Sequence, residues 1–136
     1  MSNPHLVFHH LGLAVRRPAE ATSFLSNLGY QIGETVFDPN QNVNLKMCPH
    51  PFEPAVEIIW PGDTPGPLES LLQRHPPGLI YHVCYETDNL EQALAALKQA
   101  GLKALCVSPP KPAPLFGDRP VSFYNIVGIG LIEILE

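Results

Sequence analysis

Over residues 8–15, apolar and polar or small positions alternate. Leu11, Leu13 and Val15 fall on one face and His10, Gly12 and Ala14 on the other. A period of two predicts a strand with one greasy face. The period then lengthens. Ala21, Phe24, Leu25 and Leu28 recur at helical spacing, Pro18 sits where a first helical turn begins, and Gly29 ends the run. Strands are predicted over residues 30–37, 43–48 and 55–60, with the turn residues Asp38, Pro39, Asn40, Gln41 and Asn42 between the first two. In the last strand Val56, Ile58 and Trp60 share one face, and Glu57 and Ile59 the other.

The same order then repeats. A strand is predicted over residues 79–87, followed by a helix whose buried stripe is Leu90, Ala93, Leu94 and Leu97. Asp88 reads as its N-cap, with Glu91 three residues on, and Gly101 closes it. A strand over 102–107 leads into a proline-rich stretch, Pro109, Pro110, Pro112 and Pro114, which predicts a stiff loop because proline donates no backbone N–H. Strands over 121–125 and 130–135 complete the set. Leu68, Leu71 and Leu72 suggest a short helix between the halves. Gly29 follows His10 by 19 positions and Gly101 follows His82 by 19, which marks an internal repeat. The chain reads as α+β: two βαβββ modules, residues 7–61 and 79–136, joined by a linker over 62–78 in one domain spanning 1–136.

Composition narrows the partners. The 136 residues suit one domain, and 45% hydrophobic content supports a core. A net charge of −5, with eight scattered Lys and Arg, argues against a nucleic-acid partner. The apolar stretch at 126–132 is far short of the roughly 20 residues that span a bilayer. Met1 to His5 lacks the basic start and apolar run of a signal peptide, so a cytoplasmic protein without a membrane partner is expected. Cys48, Cys84 and Cys106 form no CxxC pair and read as free thiols.

The candidate chemistry lies in the repeat. Glu57 follows His10 by 47 positions and Glu133 follows His82 by 51. Taken singly, a strand histidine is more often a core or surface residue, and a strand glutamate an exposed carboxylate. Together the four lie opposite the apolar positions that pack under the helices. A buried carboxylate is costly unless paired, and a cation removes that cost. His10, Glu57, His82 and Glu133 are therefore candidate ligands of one metal between the halves. His9 is expected on the opposite face from His10. His5, His50 and His75 are expected at the surface. Cys84 shares the face of His82 and is a pocket candidate rather than a ligand.

These residues resemble the vicinal oxygen chelate superfamily, which includes glyoxalase I, methylmalonyl-CoA epimerase, extradiol dioxygenases and the fosfomycin and bleomycin resistance proteins. The resemblance spans about residues 8–135. It implies two βαβββ modules forming a cupped mixed sheet around one divalent metal, Zn, Ni, Co or Mn, held by His10, Glu57, His82 and Glu133. It also implies a small-molecule substrate and a homodimer. The epimerase branch is nearest in look, through residues 66–82 and 89–101. Epimerases carry a catalytic glutamate in the loop matching residues 38–42, where this chain has Asn40 beside Gln41. The turn at 125–130 also departs from their Asp-Pro-x-Gly pattern.

The implied reaction is removal of a proton next to a carbonyl of a small or acyl-thioester substrate through a metal-stabilised enolate, with Glu57 or Glu133 as base. Alternatives are a glyoxalase I-like lyase, an Fe(II) dioxygenase and a non-enzymatic antibiotic-binding protein. The segment over 108–120 is expected to rim the cup, offering Phe116, Asp118 and Arg119 to substrate.

Overall fold

β1 (Val7–Ala14) and β5 (Leu79–Glu86) lie antiparallel at the centre of one eight-stranded sheet in the computed structural model, which describes residues 5–136. The signal-peptide reading above rests mostly on residues outside this range. β4 (Val56–Pro61) pairs parallel with β1, and β8 (Gly130–Leu135) pairs parallel with β5. β3 (Val43–Cys48) and β2 (Val36–Asp38) continue outward on one side; β7 (Arg119–Ile126) and β6 (Ala104–Ala113) continue on the other. Each half therefore runs strand, helix, strand, strand, strand, and the two halves meet at the β1–β5 ladder.

The faces follow the alternation. Leu13, Val15, Val56 and Ile58 pack with Ala21 and Leu25 of α1 (Ala19–Asn27). Val83, Tyr85, Ile132 and Ile134 pack with Leu90, Leu94 and Leu97 of α3 (Leu90–Gln99). On the opposite face, α2 (Pro67–Arg74) sets Leu68 and Leu72 against Ala14, Val43, Leu45 and Ile59. Among the described residues no helix is long and apolar enough to cross a membrane.

Four local expectations change. Phe24 and Leu28 are 65% and 45% exposed, because only the Ala21–Leu25 edge of α1 reaches the sheet. Residues 30–35 are not a strand. Gly33 donates to the Met47 carbonyl, and the backbone there lies so close that a Cβ would overlap that oxygen. The cap of α3 is Asn89, whose side chain accepts from Gln92 N, while Thr87 Oγ1 accepts from Asn89 N. Finally, the stretch holding Pro109, Pro110 and Pro112 is strand, not loop. It lies in β6 at the sheet edge, where only one neighbour needs pairing and bulges at Cys106/Ser108 and Ser108/Lys111 absorb the lost donors.

Candidate metal centre

The candidate ligands occupy the four central strands: Glu57 on β4, His10 on β1, His82 on β5 and Glu133 on β8. The two halves use the same register. Glu57 sits opposite Gly12, two residues past His10, and Glu133 sits opposite Cys84, two residues past His82. In a flat sheet β4 and β8, three strand spacings apart, would stand about 14 Å from each other. One ligand atom from each of the four residues nevertheless lies within 4.8 Å of the others. The sheet must curl around them, and their face is the concave one.

The histidine Nε2 atoms face the carboxylates. His10 Nε2 is 3.2 Å from Glu133 Oε1 and 3.5 Å from Glu57 Oε1, while His82 Nε2 is 3.2 Å and 3.8 Å from the same two oxygens. Solvent barely reaches them: exposures are 0% for His10, 2% for Glu57, 3% for His82 and 2% for Glu133. Despite the short separations, His10 Nε2, His82 Nε2 and Glu133 Oε1 have no partner in hydrogen-bond geometry. Buried polar atoms without a partner call for an explanation. Polar atoms converging on a common point, rather than bonding one another, fit a cation. Two imidazoles and two carboxylates suit Zn, Ni, Co or Mn.

The electrostatics fit as well. Burial disfavours the His10 imidazolium, yet the Glu133 and Glu57 carboxylates outweigh it and raise the His10 pKa from 6.5 to about 9. Burial likewise disfavours the Glu133 carboxylate, but His10 and His82 pull its pKa from 4.5 down to about 2. Without metal, a proton on His10 supplies positive charge to the carboxylates.

The sequence model of the glyoxalase/bleomycin resistance protein/dioxygenase superfamily matches residues 9–123. The chain belongs to this superfamily. Among curated proteins, it is 29% identical over 104 residues to the ethylmalonyl-CoA/methylmalonyl-CoA epimerase of Cereibacter sphaeroides, covering 76% of this chain and 77% of that one. It is 29% identical over 98 residues to the human mitochondrial methylmalonyl-CoA epimerase, covering 71% of this chain and 55%, about half, of that protein. Among solved structures, methylmalonyl-CoA epimerase from Mycobacterium tuberculosis superposes with a TM-score of 0.78 at 18% identity, over 100% of this chain and 92% of that one. A variant Streptomyces coelicolor methylmalonyl-CoA epimerase in complex with 2-nitronate-propionyl-CoA gives a TM-score of 0.71 at 17% identity, over 96% and 94% of the two chains.

Two bulges interrupt the β1–β5 ladder at the cup. Phe8 pairs with Tyr85 and His10 with Cys84, which leaves His9 as an extra residue. Gly12 pairs with His82 and Leu13 with Ile80, which leaves Tyr81 extra. Each extra residue immediately precedes a candidate ligand. A bulge lets two successive residues oppose one on the partner strand, so the simple alternation fails there. This corrects the expectation for His9: its Nδ1 lies 2.8 Å from His10 Nδ1. Burial, and then the charge on His10, lower the pKa of His9. Tyr81 packs its ring edge-on to His82 at 4.5 Å, and burial, with Glu57 and Glu133 nearby, raises its phenol pKa. Alternation cannot reveal either residue. The only sequence hint is that a non-alternating neighbour, His9 or Tyr81, precedes each histidine.

The remaining candidates divide. Phe116 closes the cup: its ring stacks on His10 at 5.8 Å and meets His9 edge-on at 5.5 Å. It ends a 3₁₀ turn, Pro114–Phe116, whose Leu115 packs into the Leu72 cluster. Cys84 is fully buried, and burial together with Glu133 raises its thiol pKa, which keeps it protonated and unsuited to bind as thiolate. Arg119 is not brought to the cluster. Its guanidinium bonds Glu86 and the Glu136 carbonyl, in a surface groove also lined by Val7 and Asp88. His50 is not simply at the surface either: its Nε2 lies 2.9 Å from the Leu28 carbonyl, and its Nδ1 accepts from Phe52 N and Glu53 N.

Asn40 turns away from acid–base work. Its Nδ2 donates to the Pro112 carbonyl at 2.9 Å, tying the β2–β3 turn to β6 across the mouth of the cup. The nearby Asp38 carboxylate is fully buried and committed to the same turn, accepting from Asn40 N, Gln41 N and Gln41 Nε2.

Proposed function

We propose that this chain is a divalent-metal-dependent isomerase that moves the proton on the carbon next to a thioester or ketone carbonyl. The observation that carries the reading is the convergence of His10 Nε2, His82 Nε2 and Glu133 Oε1 on one buried point without hydrogen-bond partners. The similarity to proteins named as ethylmalonyl-CoA and methylmalonyl-CoA epimerases supports an acyl-CoA substrate. A divalent cation held by His10, Glu57, His82 and Glu133 would act as a Lewis acid toward the carbonyl oxygen.

The protein's own part is proton transfer. Glu133 is the base: its buried Oε1 points into the cluster with no hydrogen-bond partner to hold it back from a substrate proton. Glu57 completes the donor set. Phe116, stacked on His10, would shield the cluster from water.

Asn40 favours a second form of the same chemistry. With an amide at position 40 and the Asp38 carboxylate of that turn held by Asn40 N, Gln41 N and Gln41 Nε2, one base serves one face of the substrate. It then returns the proton to that face, either at the same carbon or at its neighbour. The first alone gives exchange without inversion; the second is a glyoxalase-type 1,2-shift.

The test uses metal-loaded protein in D2O, with methylmalonyl-CoA and a 2-oxoaldehyde–thiol adduct as probes. NMR follows the α-proton and circular dichroism follows the stereocentre. Exchange with inversion supports the epimerase form, and a 1,2-shift supports the one-base form. Both activities should vanish in Glu133→Gln. Absence of exchange, inversion and 1,2-shift with both probes would overturn the proposal.

A further inference from the structure

We infer that His9 is a positioning residue for His10, holding the tautomer and ring orientation in which Nε2 faces the metal cluster. This rests on the metal-centre reading above and extends it to a residue outside the four candidate ligands.

The argument starts from the bulge. Without the extra residue at position 9, alternation would send that side chain to the helix-covered face. With it, His9 enters the cup and sets Nδ1 2.8 Å from His10 Nδ1. A neutral imidazole has one donor nitrogen and one acceptor nitrogen. If His10 presents its Nε2 lone pair to a cation, its proton must sit on Nδ1. His9 Nδ1 is then the acceptor, and His9 carries its own proton on Nε2. His10 is fully buried, so bulk water does not compete for the role. Phe116 contacts both rings and fixes their relative orientation.

The second half lacks this device. Tyr81 occupies the matching bulge and packs against the His82 ring, yet His82 Nδ1 has no hydrogen-bond partner among the described residues. The two imidazoles are therefore unequal donors. His10, held at its outer nitrogen, is the better oriented. Hydrogen bonds to the outer nitrogen of a ligating histidine are worth roughly 10- to 100-fold in metal affinity.

Co(II) is a suitable probe because its visible spectrum reports ligand geometry. Wild-type protein, His9→Leu and His9→Asn would be titrated with Co(II) against a competing chelator. Asn places its side-chain oxygen near the position of the imidazole Nδ1, so it keeps the acceptor; Leu removes it. His9→Leu should bind Co(II) about 10- to 100-fold more weakly, with an altered spectrum. His9→Asn should stay near wild type in both. Leu binding as tightly as wild type with an unchanged spectrum, or Asn falling as far as Leu, overturns the inference while leaving the metal centre intact. Wild-type protein that takes up no Co(II) overturns the metal reading and this inference with it.

Discussion

Gly12 faces His82 across the β1–β5 ladder, and the His82 imidazole fills the volume that a Cβ at position 12 would need. The glycine is required by a neighbour's ring. Gly12→Ala should push that ring out of the cluster. We expect a destabilisation of about 1–3 kcal/mol, as for other overpacked sites, and a larger proportional loss of metal binding. Denaturant melts and a chelator titration on the same preparation measure both. Unchanged metal affinity would show that the ring can move without leaving the site.

Stability of the metal-free protein should depend on pH in a defined way. The His10 pKa is raised from 6.5 to about 9, so its contribution is complete below pH 6.5 and disappears as pH rises through 9. The Glu133 pKa is lowered from 4.5 to about 2, so its contribution is present above pH 4.5 and disappears as pH falls through 2. The cluster thus stabilises the metal-free fold most between pH 4.5 and 6.5. Thermal melts of chelator-treated protein across pH 2–10 would show it; a Tm that keeps rising toward pH 10 would contradict the His10 assignment. Metal binding should show the opposite trend, tightening toward pH 9 as the competing His10 proton is lost.

Phe116→Ala should open the cluster to solvent. The ring stacks on His10, and the loss of partly buried aromatic area should cost about 1–2 kcal/mol. The telling readout is kinetic: bound metal should pass to an added chelator faster than in wild type. An unchanged release rate would mean that metal leaves by another route.

Leu72→Ala tests whether α2 belongs to the core. Leu72 is fully buried against Ala14, Val43, Leu45 and Ile59. Its truncation should cost about 2–5 kcal/mol by chemical denaturation. A cost under about 1 kcal/mol would mean that the helix docks too loosely to support the concave face.

Much of this was legible in the chain. The equal spacing from each histidine to its helix-ending glycine revealed the repeat, and alternation put the four candidate ligands on the face opposite α1 and α3. What was hidden depends on partners far away in sequence. An extra residue at His9 or Tyr81 disturbs a period of two only locally, and it shows as a bulge only once β1 and β5 are paired. The prolines near position 110 looked like a loop because proline breaks ladders, and only the strand order shows that β6 has one neighbour. Arg119 looked free to meet substrate until folding brought Glu86 and the Glu136 carbonyl to it. Asp88 and Asn89 are both good caps, and Thr87 Oγ1 decided between them by fixing Asn89 N.

The proline-bearing edge has one more consequence. An outermost strand normally offers a row of free N–H and C=O groups on which another chain can add a strand and begin to aggregate. In β6, positions 109, 110 and 112 have no N–H to offer, and at the other end of the sheet β2 spans just three residues. Strand addition therefore finds a poor template along the proline-bearing half of β6 and along β2, which leaves residues 104–108 as the stretch of edge with its backbone donors intact.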